Sequence, residues 1–337
     1  MVVKIAVVGA GIIGLSSAVK IKEKYRNLQV VLISSDFSPN TTGDGSAGLW
    51  YPYLCGSTPG PLLSKWGSES YDFLHQLWLE GGYGICLMPI FNLYRDKSHW
   101  VEPYWSKNVF GYHKLDEKDL HYLNEMFAGQ FTAGHTFSTF AFSPPPFLSY
   151  LYQRFKKANG EVLQAKVNSL RDPILEGYDV VVNCTGLNAK YLVPDDRVFP
   201  YRGQVIKVVA PWINQVVIDE DRGNYIIPNQ NTCTLGGTHQ EHDYSTTISD
   251  ADTEFILTGC KSIMPSLQNA DIFSHWVGLR PGRYTVRLEA EDIDRKLIIH
   301  SYGHGGCGLT LFWGCATNVL ELLEKHRGNQ LKHQCKL

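Results

Sequence analysis

Gly9-Ala10-Gly11-Ile12-Ile13-Gly14 is the first group of residues in the chain whose types and spacing can do chemistry. Three glycines at this spacing, after an apolar run and ahead of a helical stretch, suit a dinucleotide. Gly9 permits a tight turn, Gly11 lets the backbone approach a pyrophosphate, and Gly14 lets a helix pack close to its strand. The free N–H groups at the helix start then face the anion. Asp36 follows the next β-branched run, about where a carboxylate accepts the hydroxyls of an adenosine ribose. This group alone does not choose between NAD and FAD.

Other segments offer backbone and hydroxyls to a ligand. Thr41-Thr42-Gly43-Asp44-Gly45-Ser46-Ala47-Gly48-Leu49 is a loop of small residues that can wrap a cofactor. Cys184-Thr185-Gly186 ends a buried-type strand, with Cys184 read as packing rather than as a nucleophile. Gly305-Gly306-Cys307-Gly308 is so poor in side chains that something must approach its backbone closely. The helix expected over 309–325 would turn its positive end towards that ligand, with the Thr310 hydroxyl as a further donor. His304 reads as a structural hydrogen-bonding residue. A substrate carboxylate needs a fixed cation, and Arg280, Arg283 and Arg287 are the cluster that offers one. His239-Gln240-Glu241-His242 gathers imidazoles and carboxylates, but the spacing is not a closed site and no further cluster supports it, so no metal is expected. No Ser-His-Asp or Cys-His arrangement with a supporting motif is present.

The elements that must position these groups follow from periodicity. Residues 4–8, 12–23 and 29–33 read as strand, helix and strand, one βαβ unit. A helix over 147–158, ended by Gly160, and a strand over 178–183 can rejoin the same sheet, whereas 202–209, 225–228 and 232–236 read as antiparallel strands. The 337 residues are 44% hydrophobic and 19% charged, which excludes a disordered, collagen-like or coiled-coil chain. A net charge of −2 gives no single-sign field for nucleic acid or anionic membrane. The eight cysteines are dispersed without a Cys-x-x-Cys pair, so neither a zinc site nor a disulfide scaffold is expected. With no signal peptide ahead of the first strand, a reduced intracellular compartment is the expectation. The stretch 305–320 is too polar for the ~18 apolar residues of a membrane span.

Five motifs carry a resemblance: the 41–50 loop, Val182-Asn183-Cys184-Thr185-Gly186, Arg202-Gly203-Gln204, Gly278-Leu279-Arg280-Pro281-Gly282-Arg283, and Tyr302-Gly303-His304-Gly305-Gly306-Cys307-Gly308-Leu309-Thr310. They occur in the order of the D-amino-acid oxidase and D-aspartate oxidase family of FAD enzymes, which the chain resembles over nearly its whole length. The resemblance implies an α/β fold in which a Rossmann-like FAD-binding domain (1–52, 146–192 and 293–337) is interleaved with a mostly antiparallel-sheet α+β substrate domain (53–145 and 193–292). It implies FAD held by the 9–14 turn, Asp36, Thr41, Thr42, Ala47, Gly48, Leu49, Val167, Cys184, Thr185, Gly186, Gly305, Gly308, Leu309 and Thr310. It gives Arg283 as the bidentate clamp on the substrate carboxylate, shared by the Tyr225 hydroxyl, and the Gly306 carbonyl as acceptor from the amine, with Tyr51 and Tyr53 lining the pocket. The implied reaction moves a hydride from Cα to flavin N5; O2 becomes H2O2, and the imino acid hydrolyses to a 2-oxo acid and ammonia. Loss of Arg283 should then abolish turnover while the yellow cofactor stays.

The short segment Arg222-Gly223-Asn224-Tyr225 resembles the aspartate oxidase branch, and His239 stands where that branch has an arginine, with Arg222 as a helper. The glycine block reads more like the neutral-substrate branch. The expectation is an acidic preference, D-aspartate or D-glutamate. The alternatives are a neutral D-amino-acid preference, a glycine- or sarcosine-type oxidase and, outside flavin chemistry, an NAD-dependent dehydrogenase, which should not need the 41–50 and 303–310 segments. The final Cys335-Lys336-Leu337 resembles a Ser-Lys-Leu address for the peroxisomal matrix, read by an import receptor; without it the location would be cytoplasmic.

Overall fold

The computed structural model describes residues 3–334, so the tripeptide at 335–337 lies outside the described residues. The chain runs β1 (Lys4–Val8), α1 (Ile12–Lys24), β2 (Gln29–Ser34), α2 (Gly60–Glu80), β3 (Ile85–Tyr94), β4 (Phe110–Lys114), α3 (Glu117–Met126), β5 (Ala133–Phe142), α4 (Pro144–Lys157), β6 (Glu161–Gln164) and β7 (Val180–Asn183). After the short α5 (Ala189–Leu192) come β8 (Phe199–Val209), β9 (Val216–Asp219), β10 (Asn224–Pro228), β11 (Cys233–Gly236), β12 (Gln240–Glu241), α6 (Asp250–Ile263), β13 (Asp271–Gly282), β14 (Arg287–Ile293), β15 (Lys296–Tyr302) and α7 (Gly308–Gln334).

Six strands form one sheet in the order β14-β15-β7-β1-β2-β6, parallel except for the β14–β15 hairpin. Both faces of its middle are covered, which is why β1, β2 and β7 read as continuous apolar runs. Ile5, Val7, Val30 and Leu32 pack with α1 and α7, while Ala6, Val8, Val31 and Ile33 pack with Leu175, Val181 and Ile298 on the other face. The remaining nine strands form a mostly antiparallel sheet, β12-β8-β11-β10-β9-β3-β5-β4, with β13 along the other edge of β8. Leu123 of α3, Phe127 at its C-terminal cap, and Ile256, Cys260 and Ile263 of α6 pack on one face of it. The chain thus crosses between the sheets several times, as the order of the cofactor motifs implied.

The structure differs from the sequence reading at several places. β14 pairs with β15 along its whole length and so belongs to the six-stranded sheet, although the 193–292 segment was assigned to the other module. Helix α4 begins at Pro144, where a proline costs nothing because its missing N–H would have no helical partner. It ends at Lys157, and Asn159, at φ +64°, takes the left-handed position expected of Gly160. Cys55 and Cys307, 252 residues apart, form a disulfide that the dispersed spacing did not suggest. Among the described residues no helix is long and apolar enough to cross a membrane.

Candidate active site

Two cavities meet where the sheets face each other. The longer, about 660 Å³, is lined by the turn Gly9-Ala10-Gly11-Ile12-Ile13, Asp36 beyond β2, Thr41 and Thr42, Val167, Cys184-Thr185-Gly186 beyond β7, and Gly305, Gly306, Gly308 and Leu309 at the start of α7. The turn, Asp36 and Cys184 all follow the carboxyl ends of parallel strands, where an open α/β sheet binds its ligand. Gly9, at φ +107°, presses against the carbonyl of Cys184, so a side chain there has neither the conformation nor the room. Gly14 packs on the carbonyl of Gly9 and lines neither cavity; its contribution is helix-to-strand packing. A β-carbon on Gly11, by contrast, would meet nothing within 4 Å. That open cradle in front of the α1 N-terminus has the shape a pyrophosphate needs.

The donor set fits a dinucleotide as well. Ser301 Oγ and His304 Nε2 are buried without a hydrogen-bond partner, and both residues line the long cavity. Burial lowers the His304 pKa to about 4, so its ring is a neutral hydrogen-bonding group rather than a cation. The loop at 41–45 is held by buried Asp44, which accepts from Thr41 N at 2.8 Å and Thr41 Oγ1 at 2.7 Å. Cys184 is buried and its thiol is pushed up to about 12, consistent with packing rather than nucleophilic work. What presses on Gly305 and Gly306 is the chain's own backbone at Tyr53 and Leu54, with the cavity on their other side.

The second cavity, about 300 Å³, is lined by Ala47, Gly48, Leu49, Tyr51, Tyr53, Ile218, Glu220, Tyr225, His239 and Trp276 among others. Thr42, Ser46, Arg280, Gly306 and Leu309 line both spaces and mark their junction. Arg280 reaches the junction because β13 pairs along β8 and Gly203 of β8 lies directly under the guanidinium; any side chain at 203 would collide with it. Arg280 Nη1 donates to the Thr238 carbonyl at 3.1 Å, and the guanidinium carbon lies 5.8 Å from the Tyr53 ring centroid. It forms no salt bridge among the described residues. Tyr225 lines the smaller cavity with Arg280; burial pushes its phenol up, opposed by the neighbouring guanidinium.

Four sequence expectations are corrected by this geometry. Arg283 is buried away from both cavities, its Nε 3.0 Å from Asp195 Oδ2 and its Nη1 bonded to the carbonyl and hydroxyl of Thr285 at 2.8 and 3.1 Å. Three residues along an extended chain lead to the opposite face, so Arg280 and Arg283 cannot both point into the cleft. Arg222 is exposed and lines neither cavity; its backbone N–H is bonded to Asp219. The Thr310 hydroxyl donates to the Tyr51 carbonyl at 2.7 Å, and Thr310 lines neither of the two cavities. Ala47, Gly48 and Leu49 line the smaller cavity, not the long one. Glu220 and Trp276 were missed altogether. Glu220 hid in a charged Asp219-Glu220-Asp221-Arg222 run that reads as solvated loop, and Trp276 shows itself only in Gly45, whose missing side chain admits the indole.

The Arg283 site makes a structural prediction. Burial alone would raise the Asp195 pKa, but hydrogen bonds from Arg197, Tyr302 and Arg283 hold it near 2, below the ordinary value of 3.8. A depressed carboxylate stabilises the fold above its unfolded pKa, and the contribution, roughly 2 kcal/mol, is lost as pH falls from about 4 to about 2. Asp195→Asn should therefore flatten the acid limb of a stability curve, measured by urea unfolding between those pH values, and leave the protein less stable at neutral pH.

The family model described as FAD dependent oxidoreductase matches residues 4–322. Human D-aspartate oxidase is 34% identical over 329 residues, covering 96% of this chain and 95% of that protein. A D-amino acid oxidase of Dugesia ryukyuensis is 35% identical over 334 residues, covering 95% of this chain and 97% of that one. Among solved structures, glycine oxidase from Geobacillus kaustophilus superposes with a TM-score of 0.80 at 18% identity, covering 96% of this chain and 94% of its own. The FAD-bound L-alpha-glycerophosphate oxidase from Mycoplasma pneumoniae gives 0.79 at 14% identity, covering 96% and 95%. These two likenesses speak to the fold.

Proposed function

The chain belongs to the FAD dependent oxidoreductase family, and from that premise we propose that it oxidises D-amino acids with O2, releasing H2O2, a 2-oxo acid and ammonia. The observation that carries this reading is that Arg280 and Tyr225 line one small pocket that opens, at Arg280, into the dinucleotide cleft. Its cofactor is FAD. The Gly9–Ile13 turn would hold the pyrophosphate, Asp36 the ribose, Val167 and Cys184–Gly186 the adenine side, and Thr42, Ser46, Gly306 and Leu309 the flavin side. Bound FAD supplies the acceptor for the hydride leaving Cα and hands its electrons on to O2.

The protein's own part is positioning. The planar fork of Arg280 takes the substrate carboxylate and the Tyr225 hydroxyl shares it, two groups that fix the plane of the carboxylate. The Gly306 carbonyl accepts from the substrate amine, which orients the third substituent of Cα. Leu49, Ile218 and Trp276 give the pocket apolar walls. With three substituents fixed, one enantiomer presents its Cα hydrogen towards the flavin side.

The acidic preference expected from the sequence rested on two cations. His239 lines the pocket, its ring 6.3 Å from that of Tyr53, but Arg222 does not, and Glu220 lines the same cavity. An aspartate or glutamate side chain would face a carboxylate there, so the geometry supports a substrate that is not acidic. The test of the reaction is peroxide release from paired D- and L-amino acids, followed with a peroxidase dye. Peroxide from the D enantiomers is expected; release only from L enantiomers, or only from glycine and sarcosine, would sink the reading.

A peroxisomal matrix location through Cys335-Lys336-Leu337 suits a peroxide-producing oxidase. Appending Gly-Gly after Leu337 should leave a fluorescent fusion in the cytosol under the microscope; continued import would refute the address.

A further inference from the structure

We propose that Glu220 selects substrates whose side chain ends in a cation, so that the enzyme grips a basic D-amino acid at both ends, its carboxylate on Arg280 and its side-chain ammonium or guanidinium on Glu220. This rests on the oxidase reading and names its substrate class.

The pocket is built around an unneutralised carboxylate. Glu220 follows β9, and its backbone N–H donates to the Leu93 carbonyl at 3.0 Å, so its position is fixed by the sheet. The Tyr51 hydroxyl and Asn92 Nδ2, the latter at 2.7 Å, both donate to Oε1. Oε2 forms no hydrogen bond among the described residues. Asn92 is wholly buried with its own Oδ1 unpartnered, so it spends a buried amide on holding this carboxylate. The flanking acids have basic partners: Asp219 pairs with Arg95 at 2.8 Å and Asp221 with His99 at 2.7 Å. Glu220 has no such partner among the described residues; burial pushes its pKa up, against the hydrogen bonds from Tyr51 and Asn92, so a cation brought to Oε2 would favour its ionised form. Arg280 is likewise unpaired. The cavity therefore presents one cation and one carboxylate that a bound cation would ionise, and its lining includes the rings of Tyr51 and Tyr53, which also attract cations. D-lysine and D-arginine carry the complementary pair of charges.

The test compares kcat/KM of the holoenzyme for D-lysine and for D-norleucine, which has the same carbon chain without the ammonium. The wild type is expected to prefer D-lysine by about 10-fold or more, and Glu220→Gln to reduce the D-lysine to D-norleucine ratio by about 10- to 100-fold, with Glu220→Asp between. A wild type that prefers D-norleucine, or a Glu220→Gln variant that slows both substrates equally, would overturn the proposal and leave Glu220 a structural acceptor. Should that variant fail to fold, inhibition of the wild type decides: 6-aminohexanoate is expected to compete more tightly than hexanoate, and equal inhibition contradicts the proposal. Turnover of D-norleucine without cation preference would fail this inference alone; no peroxide from any D-amino acid would fail the oxidase reading beneath it.

Discussion

Arg280→Leu is expected to lower kcat/KM for every D-amino acid substrate by about 30- to 4,000-fold, with the yellow FAD retained. Removing one partner of a desolvated, hydrogen-bonded ion pair costs about 2 to 5 kcal/mol, and each 1.4 kcal/mol is tenfold. The fold should tolerate the change, because among the described residues the guanidinium forms no salt bridge and donates to a loop carbonyl, that of Thr238. Arg280→Lys should recover only part of the loss, since an ammonium cannot offer a planar fork. Arg283→Leu is the informative contrast. It leaves Asp195 buried with fewer partners and should cost about 3 to 5 kcal/mol of stability, the range for breaking a buried pair, while the folded fraction keeps its turnover. Near-complete loss of activity in stable, folded Arg283→Leu, with Arg280→Leu active, would return the clamp to Arg283.

Gly11→Leu should give a folded, colourless protein. Gly11 has φ −71°, which any residue adopts, and a β-carbon there meets nothing, so the free protein accommodates the side chain. The same side chain fills the cradle before the α1 N-terminus. Overpacking of this order costs up to about 3 kcal/mol, so FAD affinity should fall by roughly 100-fold, and more if the N–H contacts are also lost. Titration of the apoprotein with FAD, read by flavin fluorescence, measures it, and circular dichroism shows whether the fold survives. Gly14→Leu is the counterpart that should fail to fold, because its side chain would run into the Gly9 carbonyl inside the protein. Unchanged FAD binding in folded Gly11→Leu would place the pyrophosphate elsewhere.

These two pairs of variants also mark what the sequence carries by itself. The 9–14 turn is legible because each glycine answers a local backbone demand, and the apolar runs of β1, β2 and β7 because a sheet covered on both faces tolerates no polar alternation. The proline start of α4 is local in the same sense. Choosing between Arg280 and Arg283 is different: three residues apart on one segment, they face opposite sides, and which side is the cleft depends on the pairing of β13 with β8. The trace left in the sequence is Gly203, which is glycine because Arg280 lies across it. Thr310 was misread because the Tyr51 carbonyl that takes its hydroxyl lies 259 residues earlier. Glu220 looked like one acid of a solvated run until the neighbouring strand supplied Asn92 beneath it. The Cys55–Cys307 link is of the same long-range kind.

The central claim is that the junction at Arg280 and Tyr225 presents the Cα hydrogen of a D-amino acid to FAD. Anaerobic mixing of the holoenzyme with matched enantiomers of one amino acid, D-lysine against L-lysine and D-norleucine against L-norleucine, tests it most directly. The account predicts that the yellow absorption is bleached by the D enantiomers and regained when O2 is admitted, and that Arg280→Leu slows the bleaching. Bleaching by the L enantiomers instead, or persistence of the yellow band with every amino acid at saturating concentration, would contradict it.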